Sequence, residues 1–232
     1  MIVKRPPFRC EETPEIVGTA LTYHFVNRMV SVFLADTPMP VPAGAEKLRG
    51  MAARIFGATV GKRIALRQPV AGDSLRFVPE ADLPDDLTWA SSSARIAAAF
   101  AGCTQIIERE GEKSLPDTVR DLVSRELGKW HGETKGISRH WLEEALTGIN
   151  DQLKPAARLA LLTALAPYQV DDESIQNFRE SRSGDRNLLG ATAWASMAAA
   201  RRACSWLVLP SDRGQETEDR GSDDVIQINA RV

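Results

Sequence analysis

From Pro14 to Phe33 the chain carries only two formally charged side chains, Glu15 and Arg28. Apolar residues surround the whole circumference of this stretch rather than alternating. Thr13-Pro14 reads as a helix start, a capping hydroxyl followed by proline at the first helical position. The helix is predicted to run to about Leu34, before Asp36-Thr37-Pro38. A helix apolar nearly all round is expected to be buried rather than to lie on a surface. It is not a membrane span, because His24, Asn27 and Arg28 break the ~20 clean apolar residues a span requires.

The remaining patterns are also helical, and no strand pattern competes with them. A second helix fits residues 45–59, with Leu48, Met51, Ala52, Ile55 and Phe56 on one face. Between Gly61 and Leu87 the periodicity dissolves, punctuated by Pro69, Gly72, Pro79 and Pro84. A run of helices follows. Ile96, Phe100, Cys103 and Ile107 stripe the segment from Ser92 to Glu110, with Gly111 as its stop. Ser114-Leu115-Pro116-Asp117 reads as a capping box, and Ile137 and Leu142 stand at hydrophobic-staple spacing. Pro155 opens a helix closed by Pro167, Asp171-Asp172 opens a short one, and Gly184-Asp185 introduces the last, from about Arg186 to Leu207. The expected fold class is all-α, a helical bundle. It divides into an N-terminal segment (1–60), a connector (61–87), a helical domain (88–208) and a disordered polar tail (209–232). Arg28-Met29-Val30-Ser31 is echoed by Arg202-Ala203-Cys204-Ser205, a weak sign of two degenerate helical repeats.

Composition narrows the function classes. A net charge of -2 over 232 residues leaves no basic excess for nucleic acid. The local run Lys47, Arg49, Arg54, Lys62, Arg63 and Arg67 reads as a solvated helix face and loop. Three scattered cysteines argue against a secreted disulfide scaffold, and the first residues contain no apolar leader core. A cytoplasmic address is expected, with no membrane and no nucleic-acid partner.

No Cys-x-x-Cys, zinc spacing, phosphate loop or nucleophile elbow occurs, so no metal and no cofactor are expected. Cys103 lies on an apolar stripe and reads as buried and structural, as does Cys204. Cys10 lies in an N-terminal segment read as exposed. The most informative constellation is His24, Asn27 and Arg28, at i, i+3 and i+4 on one helix face. A buried arginine needs an anion or several carbonyls. The cluster is thus either a pocket that binds an anion or relays protons, or a structural network locking the first helix to its neighbours. His24 and Cys103 are the weak catalytic candidates.

The segment from Pro14 to Val30, with its Asn27-Arg28-Met29 run, is similar to a helix of the alkylhydroperoxidase-like proteins of the carboxymuconolactone decarboxylase family. Leu153 to Leu159, and Asp171 to Phe178 leading into Gly184-Asp185-Arg186-Asn187, resemble other parts of that family. The resemblance implies a helical bundle, a homo-oligomer and thiol peroxidase chemistry. That chemistry uses a Cys-x-x-Cys with a following His and a Glu, and no position here matches those residues. The chain resembles the C-terminal part of a longer, two-repeat member. The expected function is an oligomerising or binding module without the redox motif. The alternatives are a peroxidase using a non-standard cysteine and a helical protein binding a small-molecule ligand.

Overall fold

The computed structural model of the protein describes residues 8–34 and 70–207. Helix accounts for 74% of them, and none lies in a strand. The elements are α1 (Thr13–Phe33), α2 (Ala94–Ser114), α3 (Asp117–Lys129), α4 (His140–Ala145), α5 (Lys154–Leu165), α6 (Asp172–Ser181) and α7 (Asp185–Cys204), with short 3-10 turns between. Two of these turns, Asp73–Phe77 and Asp85–Ala90, occupy the described part of the proline-rich connector. The helix expected over 45–59, the basic run from Lys47 to Arg67 and the tail 209–232 lie outside the described residues. No helix among the described residues is long and apolar enough to cross a membrane.

α7 is the central element, packed against α1, α2 and α5. Its composition explains why. Ala191, Ala195, Ala199 and Ala200 are fully buried and leave room for other helices to come close. α5 lies deepest, with Leu159, Leu161 and Leu162 fully buried, each contributing about 1.5–3 kcal/mol on transfer from water. Two apolar cores result. The larger joins α3, α4, α5, α6 and one side of α7. The smaller joins Val17 and Leu21 of α1, the turn residues Leu87 and Trp89, and Met197, Ala200 and Cys204 of α7.

Several local expectations need correction. α1 is not buried all round: Ile16, Tyr23, Val26, Val30 and Phe33 are exposed, and the other described elements bury chiefly its opposite face. Glu12, in a preceding 3-10 turn, occupies the cap position of α1 without a side-chain bond, and the Thr13 hydroxyl donates back to the Arg9 carbonyl. Gly111 does not stop α2, which continues to Ser114. A Cβ on Gly111 would lie 2.3 Å from Cδ1 of Trp194, so the glycine serves the crossing of α2 with α7. Ser114 ends up buried in that crossing, against Gly190, and does not cap α3. The Ile137–Leu142 staple does not form: Leu142 is buried, whereas Ile137 is 96% exposed. The Asp171 start signal behaves as expected, its carboxylate accepting from the Ser174 amide at 2.9 Å and hydroxyl at 2.6 Å.

Candidate functional site

The inner face of α1 presents Val17, Leu21, Arg28 and Val32 to the fold. Val17 and Leu21 belong to the smaller core, and Val32 is buried one turn beyond Arg28. Arg28 is the exception, only 8% exposed. No carboxylate among the described residues pairs with it. Its Nε instead donates to the carbonyl of Ala164 in the last turn of α5, at 3.0 Å. One terminal nitrogen donates to the His24 carbonyl at 3.0 Å and stands 3.4 Å from His24 Nδ1. The guanidinium carbon lies 5.7 Å from the centre of the Trp130 ring. The C-terminus of α5 carries partial negative charge on its unsatisfied carbonyls, and Arg28 supplies the matching donor. The bond to Ala164 ties α1 to the second half of the chain. The acids of the second half that could have met it, Glu143 and Asp172, do not: Glu143 pairs with Arg158 at 2.7 Å, and Asp172 is not among the partners of Arg28.

His24 is half-buried beside this guanidinium. Burial, and then the Arg28 charge, hold its imidazole below the usual histidine range. A neutral ring can offer Nδ1 as an acceptor toward Arg28. Burial also draws Arg28 downward, but an arginine starts so high that it keeps its charge at neutral pH. Asn27 does not join the cluster. Successive helical residues are ~100° apart, so Asn27 faces outward while Arg28 faces in. It is exposed, and only its backbone carbonyl is engaged, by the Ser31 hydroxyl at 2.9 Å.

The structure separates the cysteines from any reactive arrangement. Cys204 is 1% exposed in the smaller core. Burial pushes its thiol up to about 12, against the opposing charge of Arg28. Cys103 is only partly buried, not buried as its stripe suggested. Burial still raises its thiol above the ordinary value. No hydrogen bond among the described residues joins Cys103 to His24. Cys10 stands in the 3-10 turn before α1, and its side chain lies outside the described set. No group of three or more potential metal ligands occurs among the described residues.

Sequence reasoning missed the tryptophan at the centre. Trp130 meets Arg28 through its ring and Arg202 through its carbonyl, which accepts at 3.1 Å and 3.3 Å. Arg202 also lies 5.5 Å from the ring centre of Trp206, itself 5.1 Å from that of Trp130. The faint echo of Arg28 to Ser31 in Arg202 to Ser205 was the available signal, since its two arginines converge on one tryptophan. A second missed group is the network around Arg201. That residue pairs with Asp86 at 2.7 Å and with Glu108 at 3.0 Å, and Glu108 accepts from Trp194 Nε1 at 2.7 Å. It holds together the turn 85–90, α2 and α7.

A curated protein shares much of this sequence. An alkyl hydroperoxide reductase of Mycobacterium tuberculosis is 37% identical over 201 residues, covering 87% of this chain and 57% of that protein. The likeness supports the alkylhydroperoxidase-like family. This chain spans a little over half the length of the reductase it matches. No family model matches it, and no solved structure does. No Cys-x-x-Cys occurs in the sequence.

Proposed function

We propose that these 232 residues act as an alkylhydroperoxidase-like binding and oligomerising module that does not itself turn over peroxides. One observation carries the reading: both cysteines whose side chains are described sit where burial disfavours the thiolate. The thiolate, not the thiol, attacks a peroxide. Burial raises Cys103 and Cys204 alike, and neither sits at a helix N-terminus that would reverse the effect. Arg28, near Cys204, opposes the shift without cancelling it. A sulfenic acid formed on either cysteine has no second thiol three residues away to resolve it. The proposal extends to the wider carboxymuconolactone decarboxylase family, to self-association and to a cytoplasmic address.

The cluster of His24 and Arg28 then serves as a clamp. It binds α1 to α5 through backbone carbonyls, which fixes the helix without the cost of burying a second charge. The other reading is a peroxidase using Cys10 or Cys103 with His24. It is favoured by the name of the relative and by the partial exposure of Cys103.

Turnover decides between the two. The purified chain is given an organic hydroperoxide and a dithiol reductant, and peroxide loss is followed against a blank. The expected rate equals the blank. A rate well above it that vanishes in Cys10→Ser or Cys103→Ser establishes the peroxidase instead.

A further inference from the structure

The outer face of α1 is one wall of a groove. Tyr23 and Val26 line it from α1, Phe100 lines it from the start of α2, and the turn from Ala71 to Leu75 closes its side. Its volume is about 810 Å³. The helices cannot shut it by moving together, because they already touch: a Cβ on Gly18 would lie 3.0 Å from the Phe100 ring. Among the described residues nothing fills it, and Tyr23 and Val26 are left 66% and 45% exposed. Isolated apolar residues on a surface need no explanation, but a contiguous apolar groove marks a surface that takes a partner.

We propose that the partner is this chain's own segment 45–59, seated in the groove as a helix antiparallel to α1. The ends of the intervening chain set that course. Residues 35–69 leave from Leu34, directly after α1, and return at Val70, next to the Ala71–Leu75 side of the groove. The groove meets α1 between Pro14 and Val26, so the chain travels back along the helix it has just left. From Leu34 to Thr19 is ~22 Å along α1 at 1.5 Å per residue, and a helix over 45–59 has the same length. Residues 35–44 and 60–69 remain for the two turns, with Pro38, Pro40, Pro42 and Gly44 in the first and Gly61 and Pro69 in the second. The side chains match as well. Leu48, Met51, Ala52, Ile55 and Phe56 stand at i, i+3, i+4, i+7 and i+8, a single apolar stripe. The antiparallel course brings Met51 to Ile55 level with Val26. A helix with one apolar stripe must bury it against another element, and elements consecutive in sequence usually lie side by side. A second copy or a ligand in the groove would leave the stripe of 45–59 still to be covered. A groove filled from within is closed to any small-molecule ligand.

The test puts the photo-cross-linker p-benzoylphenylalanine in place of Val26 in the full chain and maps its products by mass spectrometry of tryptic peptides. The expected products join position 26 to the peptide Gly50–Arg54 or Ile55–Lys62 of the same chain, at monomer mass. The cross-linker in place of Lys129, on α3, is expected to capture neither peptide. Amide exchange gives a second measure. Residues 45–59 are expected to be protected in the wild type and to exchange at least tenfold faster in Val26→Glu, with α5 unchanged. Products at dimer mass would put a second copy in the groove, and products without either peptide would leave it to some other occupant. Each of these overturns the proposal, as does unprotected exchange of residues 45–59 in the wild type or unchanged protection in Val26→Glu. Should α5 lose protection too, Val26→Glu has unfolded the chain, and the cross-links decide. Neither measurement involves peroxide turnover, so a failure here leaves the reading of the cysteines as it stands.

Discussion

At the scale of single residues, His24 is the group whose protonation matters most. Its pKa lies below the ordinary value because protonation would place a second charge, partly desolvated, against Arg28. The sign follows from linkage. Above the unfolded histidine value of ~6.5, neither state binds the proton and stability is constant. As pH falls below it the unfolded chain takes up the proton first, so stability declines toward the folded value. The melting temperature is expected to drop between pH 7 and pH 5, and His24→Gln is expected to flatten that part of the profile. A variant whose profile keeps the wild-type slope would assign the drop to other groups. Arg28 was legible as buried because it interrupts an apolar helix, and a buried guanidinium must find acceptors. That the acceptors are carbonyls at the end of α5 was not legible. The bond to Ala164 spans 136 positions in sequence and involves a backbone atom that no side-chain pattern advertises.

At the scale of elements, the helices could be read from periodicity, but their contacts could not. Gly111 carries this lesson. In a string of letters, a glycine after a helical run is a stop signal. In the fold it is a recess for Trp194, and α2 continues past it for another turn to Ser114. Only the crossing of two helices separates these meanings. Gly128, near the end of α3, has nothing within 4 Å of where its Cβ would stand. The two alanine substitutions are therefore expected to diverge. Gly111→Ala should destabilise by about 1–3 kcal/mol through overpacking against Trp194. Gly128→Ala should leave stability unchanged or raise it by up to ~1 kcal/mol, from helix propensity alone. Denaturant midpoints of the two variants check this, and equal losses would refute the role given to Gly111. The exposed stripe of α1 has the same origin as the misread glycine. An apolar circumference identifies a helix with more than one face to cover, and it cannot say which neighbour covers which face.

At the scale of the molecule, α7 belongs to both cores, so neither can open without disturbing the helix they share. Cys204 sits on the α1 side of that helix, and its thiol has no route to solvent while α1 is seated. Burial pushes its thiol up to about 12, so the thiolate that an alkylating reagent needs is scarce at pH 8 even before access is considered. Modification of Cys204 by iodoacetamide is expected to be negligible in the native protein and to accelerate with denaturant in step with the loss of helix. Rapid labelling under native conditions would show that α1 parts from α7 independently of the rest. The buried thiol thus works as a clock. Each alkylated molecule records one excursion in which the first helix left the last, so a mass spectrum taken over hours counts openings too rare for any spectroscopic signal to register.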